Sequence, residues 1–148
     1  MTVTIRDPRS SDEAAWRRLW AGYVEFYRAT VPPEATTATW RRILDPGSPI
    51  FARLAESDDA VIGFAICVMH EGTWSTKPIG YLEDLFVDPA VRRLGAGRKL
   101  IEDLVRIGRS RGWAHLYWHT QAGNTTARCL YDAVASVDDF VRYRIELS

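Results

Sequence analysis

Residues 81–97, YLEDLFVDPAVRRLGAG, restrict the possible folds more than any other part of this chain. Leu85, Phe86 and Val87 read as the end of a buried strand, Asp88-Pro89 ends it, and residues 98–109 carry the period of a helix. Between strand and helix lies Arg92-Arg93-Leu94-Gly95-Ala96-Gly97. The two glycines remove side chains so that backbone N–H groups can converge, and the helix start that follows favours an anion. A strand, loop and helix in this order make a phosphate cradle, and a pyrophosphate is the group it suits.

The rest of the chain alternates between the two hydrophobic periods. Val3 and Ile5 mark a short first strand; Ser10-Ser11-Asp12-Glu13 then offers a helix cap and first-turn charge ahead of Trp16, Leu19, Trp20, Tyr23, Phe26 and Tyr27 at helical spacing. Pro32-Pro33 breaks that helix, and a second helix is expected over residues 36–44, stopped by Asp45-Pro46-Gly47. Residues 50–55 and 60–70 read as a hairpin turning at Ser57-Asp58-Asp59. After the 81–87 strand the pattern predicts a helix over 97–111, a strand over 115–120, a helix over 125–134 and a last strand over 140–147. Hairpins first and strand-helix units second give an α/β chain with a mixed central sheet flanked by helices. At 148 residues, one domain over 1–148 is expected.

Charge and composition remove several function classes. Nineteen basic and nineteen acidic side chains cancel, so no overall field draws the chain to nucleic acid or to an anionic membrane. No apolar run approaches a membrane span and the N-terminus lacks a signal-peptide core, so a cytoplasmic location is expected. Cys67 and Cys129 belong to no CxxC pair and His70, His115 and His119 show no metal spacing; the cysteines are expected to be small reduced core residues and no metal is expected.

Two familiar phosphate motifs fail. The triphosphate P-loop needs a Gly-Lys pair, which the chain lacks, and the dinucleotide GxGxxG lacks its third glycine in Gly95-Ala96-Gly97-Arg98-Lys99-Leu100. What Arg92 to Gly97 does fit is [QR]xxGx[GA]. Downstream, Leu116-Tyr117-Trp118-His119-Thr120 is followed by Asn124 and then by Ala127-Arg128-Cys129-Leu130-Tyr131. In this arrangement the chain resembles the GNAT superfamily of acetyl-CoA-dependent N-acetyltransferases, closely from Trp74 to Tyr131 and in order of elements before that. Trp74, YLEDLFV and LYWHTQAGNTTARCLYD look most like the histone and polyamine branch that includes spermidine/spermine acetyltransferase.

The resemblance implies the GNAT acyl-CoA N-acyltransferase fold, acetyl-CoA as co-substrate, and a small-molecule amine or a protein lysine as acceptor. It also implies a cofactor site built from the main chain of Leu85, Phe86 and Val87, from Arg92, Arg93, Leu94, Gly95, Ala96, Gly97 and Arg98, and from Asn124, Ala127 and Tyr131. Arg92, Arg93 and Arg98 are either phosphate ligands or solvated helix-start charges. Tyr131 is either the acid that protonates the departing thiolate or a packed aromatic. Glu83 and Asp84, consecutive carboxylates in an apolar strand, face opposite sides if the strand is regular. They suit a cationic amine, with Glu83 helping to pass its proton on, or a buried pair with an arginine. Trp74, Tyr23 and Tyr27 complete the expected acceptor wall. Relatives with another acceptor, such as an amino acid or a drug amine, and a non-catalytic acyl-CoA-binding module are the alternatives. The terminal strand VRYRIEL is expected to pair within the chain or across a homodimer. Residues 133–137, AVASV, depart from the Gly-Phe turn of many relatives, which bears on that strand's path.

Overall fold

The computed structural model describes residues 2–148. Five strands lie in sequence order across one sheet: β1 (Thr4–Arg6), β2 (Ile50–Ser57), β3 (Ala60–His70), β4 (Ile79–Val87) and β5 (Leu116–Tyr117). The first four are antiparallel, and β5 runs parallel to β4. That reversal requires a crossover, supplied by helix α3 (Ala96–Arg111). Helices α1 (Glu13–Phe26) and α2 (Pro33–Leu44) cover one face, and α3 with α4 (Thr125–Val134) covers the other.

Local chemistry accounts for the boundaries. Asp58 and Asp59 have φ of 51° and 62°, and Ser57 pairs with Ala60, so the β2–β3 connection is a two-residue turn with both central residues left-handed. Helix α2 begins at Pro33, three positions before the residue 36 expected: proline breaks α1 but is well suited to a helix's first turn, where its missing N–H has no partner to lose. Before α1, the Asp12 carboxylate accepts from the Arg9 N–H at 2.7 Å and holds both terminal nitrogens of Arg6 at 2.9 Å. The hydrogen bonds from Arg6 keep the Asp12 carboxyl below its ordinary range.

The α1/α2 layer is aromatic. Trp16, fully buried, stacks on Trp20 and Trp40 with ring centres 5.3 Å and 5.2 Å apart, over Leu54, Phe64, Ile66 and Phe86. The α3 layer is aliphatic, with Leu100, Ile101 and Leu104 against Ala65, Cys67 and Leu82. Burial pushes the Cys67 thiol up to about 12, as for an inert core cysteine. Cys129, expected in the core, is exposed on α4 instead, because its helix buries the stripe of Leu130, Tyr131 and Val134.

Two expectations for the second half need correction. Strand β5 was expected over 115–120, yet only Leu116 and Tyr117 pair, opposite Gly80 and Tyr81. The cause is a bulge in β4. Ile66 pairs with Asp84 and Cys67 with Leu82, leaving Glu83 as an extra residue that bends the strand away from its neighbour. The last strand, expected over 140–147, joins no sheet within this chain. Alternation alone cannot supply the partner that a strand needs.

Strands β3 and β4 leave little room between them beside the site. A Cβ on Gly63 would lie 2.8 Å from the Phe86 carbonyl oxygen. Gly63→Ala should therefore destabilise the protein by about 1–3 kcal/mol, read as a lower urea midpoint at unchanged m-value.

Candidate active site

The bulge creates the cleft. Beyond Tyr81, β4 has no hydrogen-bonded neighbour on its β5 side, so the backbone of Leu82 to Val87 presents a free strand edge. An extended amide-bearing chain can add to such an edge, as peptides do in strand addition. At the far end of this edge the chain turns through 3₁₀ residues Pro89–Leu94 into α3. Asp88 caps the turn, its Oδ1 accepting from the Ala90 N–H at 3.0 Å. Gly95 sits at φ 74°, the left-handed geometry that lets the chain reverse into the helix, and its carbonyl accepts the Lys99 N–H at 3.1 Å. The N–H groups ahead of Lys99 therefore have no partner inside α3 and point out of its positive end. A Cβ at Gly95 would meet nothing within 4 Å, so this surface is open. Gly97 differs: its missing side chain faces Leu130 and Val87 at 3.4 Å and 3.8 Å and serves the approach of α3 to α4.

The arginines separate likewise. Arg98 is paired with Glu102 at 2.9 Å, whereas Arg92 and Arg93 are exposed and make no ion pair among the described residues. Leu94 is half-buried and Ala96 is fully buried, so the cradle offers Ala96 by its main chain only. Asn124 caps α4: its Oδ1 accepts from the Ala127 N–H at 3.3 Å and its Nδ2 donates to Thr120 at 3.4 Å. These bonds engage Asn124 and the Ala127 N–H in the helix start.

Tyr131 projects from α4 and packs on Trp118, ring centres 5.5 Å apart, and its hydroxyl has no hydrogen-bond partner among the described residues. Burial raises its phenol, and the field of Tyr27, at the end of α1, adds to the rise. The two tyrosines thus approach one cleft from opposite walls. The pair of carboxylates lies by the α1 tyrosines, the field of Asp84 reaching both Tyr23 and Tyr27. The regular-strand expectation for Glu83 and Asp84 fails at the bulge: Leu82 and Leu85 both face α3, while Asp84 turns toward α1 with Phe86. Glu83 is exposed, Asp84 is half-buried, and neither forms an ion pair among the described residues. The arginine-pair alternative is thereby removed. Burial pushes the Asp84 carboxyl up to about 7; a hydrogen bond from the Tyr23 hydroxyl opposes this and the Glu83 charge adds to it. The Tyr23 phenol is itself raised, by burial first and then by Asp84.

Trp74 stands fully exposed in the β3–β4 loop and so covers no core. Two features escaped the sequence reading. One is a cleft of about 460 Å³ between α1 and the end of β4, lined by Arg18, Gly22, Phe26, Asp88 and Arg92; the i, i+4, i+8 stripe of Arg18, Gly22 and Phe26 was its available signal. The other is an aromatic ladder beside Glu83. Tyr81 stacks on Tyr117 at 4.9 Å and its hydroxyl lies 3.2 Å from His119 Nδ1, while His70 Nε2 lies 3.0 Å from the Tyr117 hydroxyl. That ladder needs the β4–β5 register, which no local pattern reveals.

A free strand edge leading to open helix-terminal donors fits the pantetheine and pyrophosphate of coenzyme A, and defines an acyl-CoA transferase class of site. Comparison with known proteins agrees. The model of the acetyltransferase (GNAT) family matches residues 16–134, and the chain belongs to that family. It is 36% identical to the D-amino-acid N-acetyltransferase HPA3 of Saccharomyces cerevisiae, over 96% of this chain and 89% of the yeast protein. It is 26% identical to an aminoglycoside N(6')-acetyltransferase type 1 of Salmonella enteritidis, over 89% of this chain and 90% of that protein. Among solved structures it resembles AAC(6')-Iy bound to a bisubstrate analogue, with TM-score 0.83 at 24% identity, covering 99% of this chain and all of that one. The protein is an acetyl-CoA-dependent N-acetyltransferase with the α/β GNAT fold.

Two outcomes follow. Gly95→Val forces a β-branched residue into left-handed geometry at a cost of roughly 1–2 kcal/mol, so coenzyme A affinity by calorimetry should fall about tenfold. Asp84 holds its proton more tightly folded than unfolded, so the wild type loses stability as pH rises from about 4 to about 7. Asp84→Asn should match the wild type near pH 4 and exceed it above pH 7 in urea unfolding.

Proposed function

We propose that this enzyme acetylates the primary amine of a small cationic acceptor, polyamine-like or lysine-like, by direct attack in a ternary complex. The observation that carries this reading is the pair Glu83 and Asp84: two carboxylates at the cleft with no ion-pair partner among the described residues. An acceptor ammonium supplies the missing charge. The ladder of Tyr81 and Tyr117, with the ring of Trp74, offers faces for alkylammonium groups. Likeness to thialysine N-epsilon-acetyltransferase of Caenorhabditis elegans, 36% over 45% of this chain, is consistent with such an acceptor. A second reading, an amino-acid amine, is favoured by the near full-length likeness to the yeast D-amino-acid enzyme.

The two carboxylates divide work that would conflict in one. A carboxylate that stays charged holds the ammonium and thereby raises its pKa, which opposes deprotonation. Glu83, exposed at the bulge, performs the holding. Asp84, half-buried and poised near 7, receives the proton, with the Tyr23 hydroxyl orienting it. The proton-accepting role expected of Glu83 thus passes to its neighbour. Acetyl-CoA supplies an activated acyl group and a thiolate leaving group. A main-chain N–H near Leu85 or Phe86 donates to the developing oxyanion. The free Tyr131 hydroxyl protonates the departing sulfur, its raised pKa keeping it in the acid form across the working range. The exposed apolar C-terminal residues support a homodimer as the working form.

Acetylation should be screened on spermidine, a lysine peptide, D-amino acids and an aminoglycoside, read by coenzyme A release. Turnover on the polyamine or lysine peptide supports the first reading, turnover on D-amino acids alone the second, and coenzyme A binding without turnover would sink both. With the accepted amine, log kcat/KM should rise through an inflection near pH 7; Asp84→Asn should abolish the inflection and lower the rate about a hundredfold or more. Tyr131→Phe should lower kcat at all pH values with acetyl-CoA affinity retained.

A further inference from the structure

Every histidine of this chain stands around one tyrosine. The ring centres of His70, His115 and His119 lie 5.8, 5.7 and 5.9 Å from that of Tyr117, and Tyr81 stacks on its face at 4.9 Å. Strand alternation brings them together. Leu82 faces α3, so Tyr81 turns to the other side of the sheet, and its register partner Tyr117 turns with it, between Leu116 and Trp118 of the α3 layer. His115 and His119 stand two residues either side of Tyr117, and His70 stands two beyond Val68, the β3 residue opposite Tyr81. The histidines are exposed and the tyrosines half-buried, so the cluster is an open patch. Burial raises the Tyr81 phenol, and the charges of Glu83 and then Asp84 add to the rise against the opposing charge of Arg142. The patch therefore lies within the field of both carboxylates.

Its hydrogen bonds fix a polarity. His70 Nδ1 lies 2.8 Å from the Glu71 carbonyl oxygen, which can only accept, so Nδ1 carries the proton. In the uncharged ring Nε2 is then bare, and the Tyr117 hydroxyl, 3.0 Å away, donates to it. Tyr117 has thereby spent its one proton, and its oxygen offers only lone pairs to the open side. Such an oxygen takes a hydrogen bond from an ammonium and has none to give a carboxylate.

We propose that Tyr117, set by His70, is a specificity-determining residue that accepts from a second ammonium of the acceptor, so that the enzyme selects diamines over monoamines and over amines ending in a carboxylate. This deepens the first reading above and rests on it. Glu83 and Tyr81 are two strand residues apart, about 7 Å, so a diamine of about five carbons sets one nitrogen at the carboxylates and the other on the Tyr81–Tyr117 platform. There the ring faces attract the charge and the Tyr117 oxygen orients one N–H. His70 touches no substrate; it is a positioning residue that acts through the Tyr117 proton.

Cadaverine, pentylamine and 5-aminovalerate differ only at the far end of a five-carbon chain, which carries an ammonium, a methyl or a carboxylate. At about pH 8.5, where imidazole is uncharged, the wild-type KM should be about tenfold or more lower for cadaverine than for pentylamine, and highest for 5-aminovalerate. Tyr117→Phe keeps the ring and loses the oxygen, so it should cut the pentylamine-to-cadaverine ratio about tenfold. His70→Leu frees the hydroxyl proton, so 5-aminovalerate should gain about tenfold on cadaverine. Coenzyme A affinity by calorimetry should be unchanged in both variants. Equal KM for cadaverine and pentylamine, a wild-type preference for 5-aminovalerate such as Arg142 would confer, or a His70→Leu that shifts all three amines alike overturns this inference and leaves acetylation of amines standing. No turnover on any of the three, nor on spermidine or a lysine peptide, overturns both.

Discussion

The extra residue in β4 is the constraint on which the site depends. With Ile66 opposite Asp84 and Cys67 opposite Leu82, the ladder absorbs Glu83 without a partner. Alternation restarts one residue later, so Leu82 and Leu85 anchor the same aliphatic layer and Asp84 and Phe86 turn to α1. The bend at the bulge also ends the β4–β5 pairing at Tyr81 and Tyr117. One local irregularity thus opens the cleft, exposes the strand edge that faces it and sets two neighbouring carboxylates in unlike surroundings. A regular strand would have buried the cleft under a continuous sheet.

Anion recognition in this chain relies little on net charge. Acidic and basic side chains balance, yet the start of α3 gathers unpaired N–H groups behind a left-handed Gly95. Fixed dipoles of this kind need no counter-ion removed and no side chain ordered when a phosphate arrives, which is why a neutral protein can hold one. Arg92 and Arg93 are exposed and unpaired among the described residues, so their charge stays available at the rim, while Arg98 is paired with Glu102 at 2.9 Å on the helix itself.

What was legible in the sequence was whatever depends on near neighbours along the chain. The Ser57-Asp58-Asp59 turn, the α3 start at Gly95 and the apolar stripe of α3 each declare themselves within a few residues, and the structure has them as expected. The facing of Glu83 and Asp84 was not legible, because a bulge is a property of two strands and only one of them carries the sign. The extent of β5 failed for the same reason: His115 to Thr120 alternate well, but the partner has bent away. Pro33 misled in the other direction, since the residue that ends α1 also opens α2. At the site, the glycine loop and the helix start of the expected cradle are local features that spacing reveals, whereas the Tyr81, Tyr117 and His119 ladder joins residues far apart in sequence and needed the register.

The same division explains why family membership is firm and the acceptor is not. The cradle at the free edge of β4 and the start of α3 is main chain and depends on one left-handed glycine, so many side-chain sets are compatible with it. Structures at about a fifth identity, such as a ribosomal-protein-alanine N-acetyltransferase of Brucella melitensis at 21% and TM-score 0.82, keep the fold. The proposed acceptor side is built the other way, from the side chains of α1's last turns, the bulge and the β5 face, whose identities are free to vary on an unchanged scaffold. Acceptor chemistry must therefore be read from Asp84, Glu83 and the tyrosines around them rather than from overall likeness. In this chain those residues set an exposed carboxylate and a half-buried one with a raised pKa side by side, and the proposed amine acceptor is the chemistry that such a pair suits.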